Sequence, residues 1–148
     1  MKMDAGKNVN IIRGWPLDGS LDRVETIKSG VTLVNGDWVV KQADNTVDKA
    51  TTSKAGNAGL VIQGNGDSGS GAATGKAVVL WGNFIAQIKN LPSAVTFTPG
   101  AYVTIQKDGT GLNYLALGTF GTDPIVGVVL DVIANSAVND ASIIVKFN

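Results

Sequence analysis

Residues Lys76–Lys89 read KAVVLWGNFIAQIK, and this stretch decides the fold class. Two apolar runs flank Gly82-Asn83, a pair that accepts the positive φ a two-residue turn needs. In the second run Phe84, Ala86 and Ile88 fall on one face, and Ile85, Gln87 and Lys89 on the other. That period of two belongs to a half-buried strand. The first run, Ala77–Trp81, is apolar on both faces, as a central strand is. Together they predict a hairpin in the middle of a β domain.

Working outward, the same grammar recurs. Val31–Val40 (VTLVNGDWVV) carries Asn35-Gly36 between apolar runs, a hairpin signal, or a bend in one long strand at Gly36. Lys41–Asn57 is polar with Val47 as its one strong apolar anchor, and reads as a surface loop or weak edge strand. Gly59–Gln63 is a short buried strand, followed by a glycine-serine loop, Gly64–Gly75. Ala101–Gln106 and Leu112–Leu117 form a second hairpin around Asp108-Gly109, with Val103 and Ile105 sharing a face. Ile125–Ile133 is too apolar for a sheet edge. Ala141–Phe147 alternates cleanly, with Ile143, Val145 and Phe147 pointing one way. Nineteen glycines and a single glutamate, Glu25, suit strands and turns better than helices.

Residues 1–28 break the pattern. Ile11, Ile12, Trp15 and Leu17 cluster beside Pro16 without a sustained period. They read either as a loop folded back on its own core or as an extended arm docked on a neighbouring chain. The expectation is an all-β chain: one compact antiparallel or mixed β-barrel domain at 29–148, with an extended N-terminal arm at 1–28.

Composition narrows function. Twelve basic residues balance twelve acidic ones, so no net charge draws the chain to nucleic acid or an anionic membrane. Cysteine and histidine are absent, which removes disulfides, thiolate sites and the commonest general base and metal ligand. No signal-peptide core or transmembrane run is visible, so the expected place of synthesis is the cytosol, with release by lysis or another route lacking a cleaved signal. Gly66-Asp67-Ser68-Gly69 matches the string around a serine-protease nucleophile but has no imidazole to serve it. Gly69–Ala77 approaches a P-loop, yet the spacing is one residue long and Ala77 stands where a magnesium-binding hydroxyl belongs. Asp44, Asn45 and Asp48 lack the spacing and closing glutamate of a calcium loop, and read as turn residues. Trp15, Trp38, Trp81 and Tyr102 are scattered, as core or interface residues are, rather than gathered into a sugar-stacking platform. The chain is therefore expected to be no enzyme, with no catalytic, metal-binding or cofactor-binding residues and no cofactor.

Order and spacing resemble the capsid decoration (cement) proteins of tailed bacteriophages that carry a β-tulip-like domain. The segments that look alike are Val34–Val39, Ala58–Gly64, Gly75–Gly82, Pro99–Ile105 with Lys107–Thr110, Ile125–Val129 and Ile143–Val145. The resemblance implies a homotrimer made in the host cytoplasm and seated on the outer surface of an icosahedral virion. There it would cement neighbouring major capsid protein subunits against internal DNA pressure, with no nucleic-acid or membrane partner. Ile11, Ile12, Trp15 and Leu17 are the expected capsid or subunit contacts. Two other readings stay open: a glycan- or receptor-binding β module of a phage fibre or spike, and a small trimeric enzyme of the dUTPase type, whose phosphate motifs are not found in order.

Overall fold

The computed structural model describes residues 9–13, 21–50, 58–68, 75–89, 95–107, 113–133 and 142–148. Eleven strands follow in order: β1 (Val9–Arg13), β2 (Leu21–Ile27), β3 (Trp38–Lys41), β4 (Thr46–Lys49), β5 (Gly59–Gln63), β6 (Lys76–Trp81), β7 (Phe84–Lys89), β8 (Tyr102–Lys107), β9 (Asn113–Leu117), β10 (Gly127–Ile133) and β11 (Ser142–Phe147). No helix occurs among the described residues. The strands divide into a closed barrel, β2-β4-β3-β5-β6, and a six-stranded sheet, β1-β7-β11-β10-β8-β9. Every pairing is antiparallel except β2 with β4. The all-β, mixed-barrel class expected from the turns and alternation is the one the chain builds.

Two apolar cores account for the apolar pattern. Inside the barrel lie Ile27, Val39, Val47, Val61, Ala77 and Val79, joined by Leu33 from the preceding loop. The alternate residues of the same strands, Trp38, Val40, Leu60 and Leu80, face the sheet. They meet Phe84, Ala86, Ile88, Val103, Ile105, Leu115, Val129, Ile143, Val145 and Phe147 from its inner side. Ala77–Trp81 is apolar on both faces because one face fills the barrel and the other forms the interlayer core. Trp38 and Phe147 rings lie 4.8 Å apart between centroids, as do those of Phe84 and Phe147, so one terminal phenylalanine joins barrel to sheet.

The first hairpin expectation is corrected. β6 and β7 do not pair: β6 lies between β5 and β2, and β7 between β1 and β11. Gly82 (φ 64°) and Asn83 (φ 41°) make the positive-φ turn the pair favours, but the turn passes the chain from barrel to sheet. Both edges of β6 are occupied within the barrel, so it has no edge left for β7. Asn35-Gly36 likewise turns, closed by Asp37 N–H donating to Val34 C=O at 3.0 Å, without joining two strands. Residues 31–34 are not strand, and Gly36 and Asp37 instead bond the backbone of Val61. Within 41–57, Thr46–Lys49 is a full barrel strand paired on both sides, with Val47 buried as expected.

The described part of residues 1–28 forms no extended arm. β1 pairs with β7 at the sheet edge, and β2 runs against β6 from Leu21 to Thr26 as part of the barrel. The aperiodic look of LDRVETI has a simple cause: Glu25 sits on the barrel-interior face and Val24 on the exposed one, the reverse of the usual pattern.

The remaining expectations hold. β5 is short and buried; β8 and β9 form the second hairpin; β10 and β11 are both interior to the sheet order. β10 pairs with β8 at Gly127 and Val128, Val129 continues the line to Ala101 and Gly100, and beyond it Leu130, at the register shift against β11, and Ile133 are exposed.

Gly59 faces the barrel interior beside Trp81, and a Cβ there would lie 2.4 Å from Val79 Cγ1 and 2.9 Å from the indole. Gly59→Ala is therefore expected to destabilise the fold by about 1–3 kcal/mol through overpacking. Phe147→Ala, which empties the interlayer contact, should cost about 3–5 kcal/mol. Urea unfolding followed by tryptophan fluorescence checks both.

Candidate interaction surface

The polar residues singled out in the sequence turn out to have structural partners. Asp67 accepts from the backbone N–H of Asn35 at 2.8 Å and of Gly64 at 2.7 Å, tying the 64–67 turn to the 31–37 loop. Asn65 reinforces the junction, accepting from Leu33 N–H at 2.8 Å and donating to Val31 C=O. The protease-like string thus contributes a loop clasp. Asp44 accepts from both the N–H and the hydroxyl of Thr46, and Asn45 takes a positive φ of 65°. Asp48 accepts from Lys28 Nζ at 2.9 Å. Asp44 and Asn45 are turn residues, as expected, whereas Asp48 lies within β4 and makes its contact from there. Among the described residues no group of three or more acidic, histidine or cysteine side chains is placed to hold a metal ion.

Asn113, at the start of β9, does a different job. Its amide oxygen accepts from Trp38 N–H at 3.2 Å and its amide nitrogen donates to Trp38 C=O. One side chain thereby hydrogen-bonds a barrel strand to the edge of the sheet, as a neighbouring strand would. Sequence reasoning passed over it, since an asparagine after a turn is usually read as part of that turn.

Of the expected contact residues, Ile11 and Ile12 lie on β1, where the register shifts between Ile11 and Arg13. Trp15 and Leu17 lie outside the described residues. Of the four scattered aromatics, Trp38 is buried in the interlayer core and Trp81 packs against the barrel interior. Trp15 is outside the described residues. Of the three that are described, Tyr102 is the exposed one, at 40%.

Tyr102 has a companion the sequence did not reveal. Phe120, 75% exposed, packs on it with ring centroids 5.4 Å apart. The reason is the 118–126 loop, which folds over the outer face of the β8–β9 hairpin. Thr104 hydroxyl donates to Pro124 C=O at 2.7 Å, and Asp123 carboxylate accepts from Thr119 N–H at 2.8 Å, closing the turn that presents Phe120. Across the outer face, Val128 lies opposite Tyr102, Lys146 opposite Val128 and Ile85 opposite Lys146. The result is one row running from an exposed aromatic pair through an aliphatic side chain to a cation. A lone phenylalanine in GTFGTD has no period to flag it, and only the folding of the loop onto β8 joins it to Tyr102.

Comparison with protein-family models, with curated proteins and with solved structures returns no match.

Charge in the turn region makes stability pH-dependent at both extremes. Asp48, by hydrogen bond and then by Coulomb attraction, raises the pKa of Lys28 above the ordinary lysine value. That contribution is fully present below the ordinary lysine range and is lost as pH rises through the raised value. Hydrogen bonds from the Thr46 hydroxyl and backbone lower the pKa of Asp44. Its contribution is present above the ordinary aspartate range and disappears as pH falls through the lowered value. Lys28→Met should flatten chiefly the alkaline limb of a Tm-versus-pH curve and Asp44→Asn chiefly the acid limb, each with a smaller effect on the other limb because the two charges also attract.

Proposed function

We propose that this chain is a structural protein that decorates and cements the outside of an icosahedral phage capsid, and that it acts by surface contact rather than by chemistry. The observation that carries the reading is the exposed Phe120–Tyr102 pair, held on the outer face of a sheet whose inner face packs against a closed barrel. A cement needs a stiff body and a contact surface. Exposed aromatics supply large apolar area at low conformational cost, and they dominate binding energy where they become buried. The strand order and turn spacing that resemble phage decoration proteins favour the same reading. A stable contact covers roughly 1,000 Å² or more, so the row from Phe120 to Ile85 would be the centre of a footprint rather than its whole. Symmetry would multiply modest contacts around a homotrimer and across the shell into strong attachment.

A second reading is favoured by the same rings. Exposed aromatic side chains are also the stacking platform of a glycan- or receptor-binding β module on a fibre or spike. The two readings separate in one experiment. Undecorated phage heads are mixed with the protein and sedimented, and the protein is passed separately over immobilised host-surface glycans. A cement co-sediments with heads, and Phe120→Ala weakens that binding by about thirtyfold or more, the loss of about 2 kcal/mol expected of an aromatic anchor. Retention on glycan without attachment to heads, abolished by Tyr102→Ala, would select the second reading.

A further inference from the structure

The barrel closes along one joint unlike the others. β2 runs antiparallel to β6 from Leu21 to Thr26, but meets β4 in parallel and only at Thr26 and Ile27. Lys28 N–H donating to Val47 C=O at 3.0 Å adds one bond. The β3–β5 joint has equally few paired residues but is antiparallel, and is extended by the bonds of Gly36 and Asp37 to Val61. Parallel pairing is slightly weaker per residue than antiparallel pairing. The β2–β4 joint is therefore the least bonded line around the ring.

Charged pairs gather at this joint. Glu25, the chain's one glutamate, is buried at 3% exposure on the interior face of β2. Its carboxylate accepts from Lys41 Nζ on β3, on the far side of β4, and from Trp81 Nε1 on β6 at 3.2 Å. Arg23 Nε stands 3.8 Å away on the same strand. At the end of β2, Lys28 Nζ reaches Asp48 on β4 at 2.9 Å. One pair thus spans the joint from within the barrel and the other from its rim. A buried ion pair stabilises a fold little compared with well-packed apolar side chains, and removing one partner is costly. Its distinctive property is that it specifies which strands must be together.

We infer that the β2–β4 joint is a seam that opens locally while the six-stranded sheet stays folded, and that Glu25 is the latch that holds it shut. β2 stays bonded to β6 when the seam parts, so opening exposes the apolar interior and Trp81 without releasing the strand. This concerns the barrel alone and stands whether or not the outer face of the sheet binds a shell.

Hydrogen exchange on the full chain tests it, with the Lys28 amide as the seam reporter and the Val145 amide as the reporter for the sheet. In the native protein at neutral pH, Lys28 should exchange at least tenfold faster than Val145. Glu25→Gln keeps the side-chain shape and removes the charge. It should speed Lys28 exchange at least a further tenfold, leave Val145 unchanged, and red-shift the tryptophan emission. Asp48→Asn loosens only the rim pair, and it should speed Lys28 by a smaller factor with Val145 again unchanged. It also keeps the test decisive if Glu25→Gln fails to fold. Equal exchange at the two amides, or acceleration of both together in either variant, would overturn the seam. Acceleration by Asp48→Asn alone would overturn Glu25 as its latch.

Discussion

The fold depends on the contact of Phe147 with Trp38 and Phe84 between barrel and sheet. The three rings bring together the last strand, the first barrel strand after the 31–37 loop, and the strand that carries the chain from one layer to the other. None of these segments is near the others in sequence, so the contact forms only once both layers are in place. Aromatic rings suit that position because each buries a large area with few rotatable bonds. Asn113 supplements the apolar contact with hydrogen bonds to the Trp38 backbone, so the layers are joined by bonds of fixed direction as well as by burial.

A barrel packed against a sheet places an unusual demand on its strands. Each barrel strand must offer apolar residues inward to fill the ring and outward to meet the other layer. β3, β5 and β6 meet it with Trp38-Val39-Val40, Leu60-Val61 and Val79-Leu80. β2 and β4 do not: β4 offers only Val47 inward, and in β2 Val24 faces outward and exposed while Glu25 faces in. The strand with the charged interior residue is the one with the short parallel joint, and Lys41 from β3 and Trp81 from β6 converge on its Glu25 carboxylate. Polar and apolar forces divide the ring between them, with burial holding most of it and directed charge holding the seam.

The outer face of the sheet is where a functional reading finds purchase. The 118–126 loop covers Thr104, whose hydroxyl donates to Pro124 C=O, yet its own Phe120 is left exposed against Tyr102. A loop that buries the side chain below it and exposes an aromatic ring above it has created a contact surface at some cost in solvation. That arrangement underlies both the proposed cement reading and the glycan reading.

What the sequence determined alone is the kind of structure and most of its strands. Alternation in Phe84–Ile88, Val103–Ile105 and Ile143–Phe147 is a local property of spacing, and each of these sets faces the core. Gly82-Asn83 determined a positive-φ turn, because φ is a property of two residues and their neighbours. What it did not determine is which strands that turn would join. Pairing depends on free edges, and the edges of β6 were taken by β5, the strand before it, and by β2, far off in the chain. The candidate surface was half legible for the same reason. Tyr102 stood out as an aromatic in a strand, but its partnership with Phe120 exists only after a loop folds back over β8. The strand within LDRVETI escaped notice because its buried residue is charged, and a buried charge makes sense only when Lys41 and Trp81 arrive from other strands to meet it.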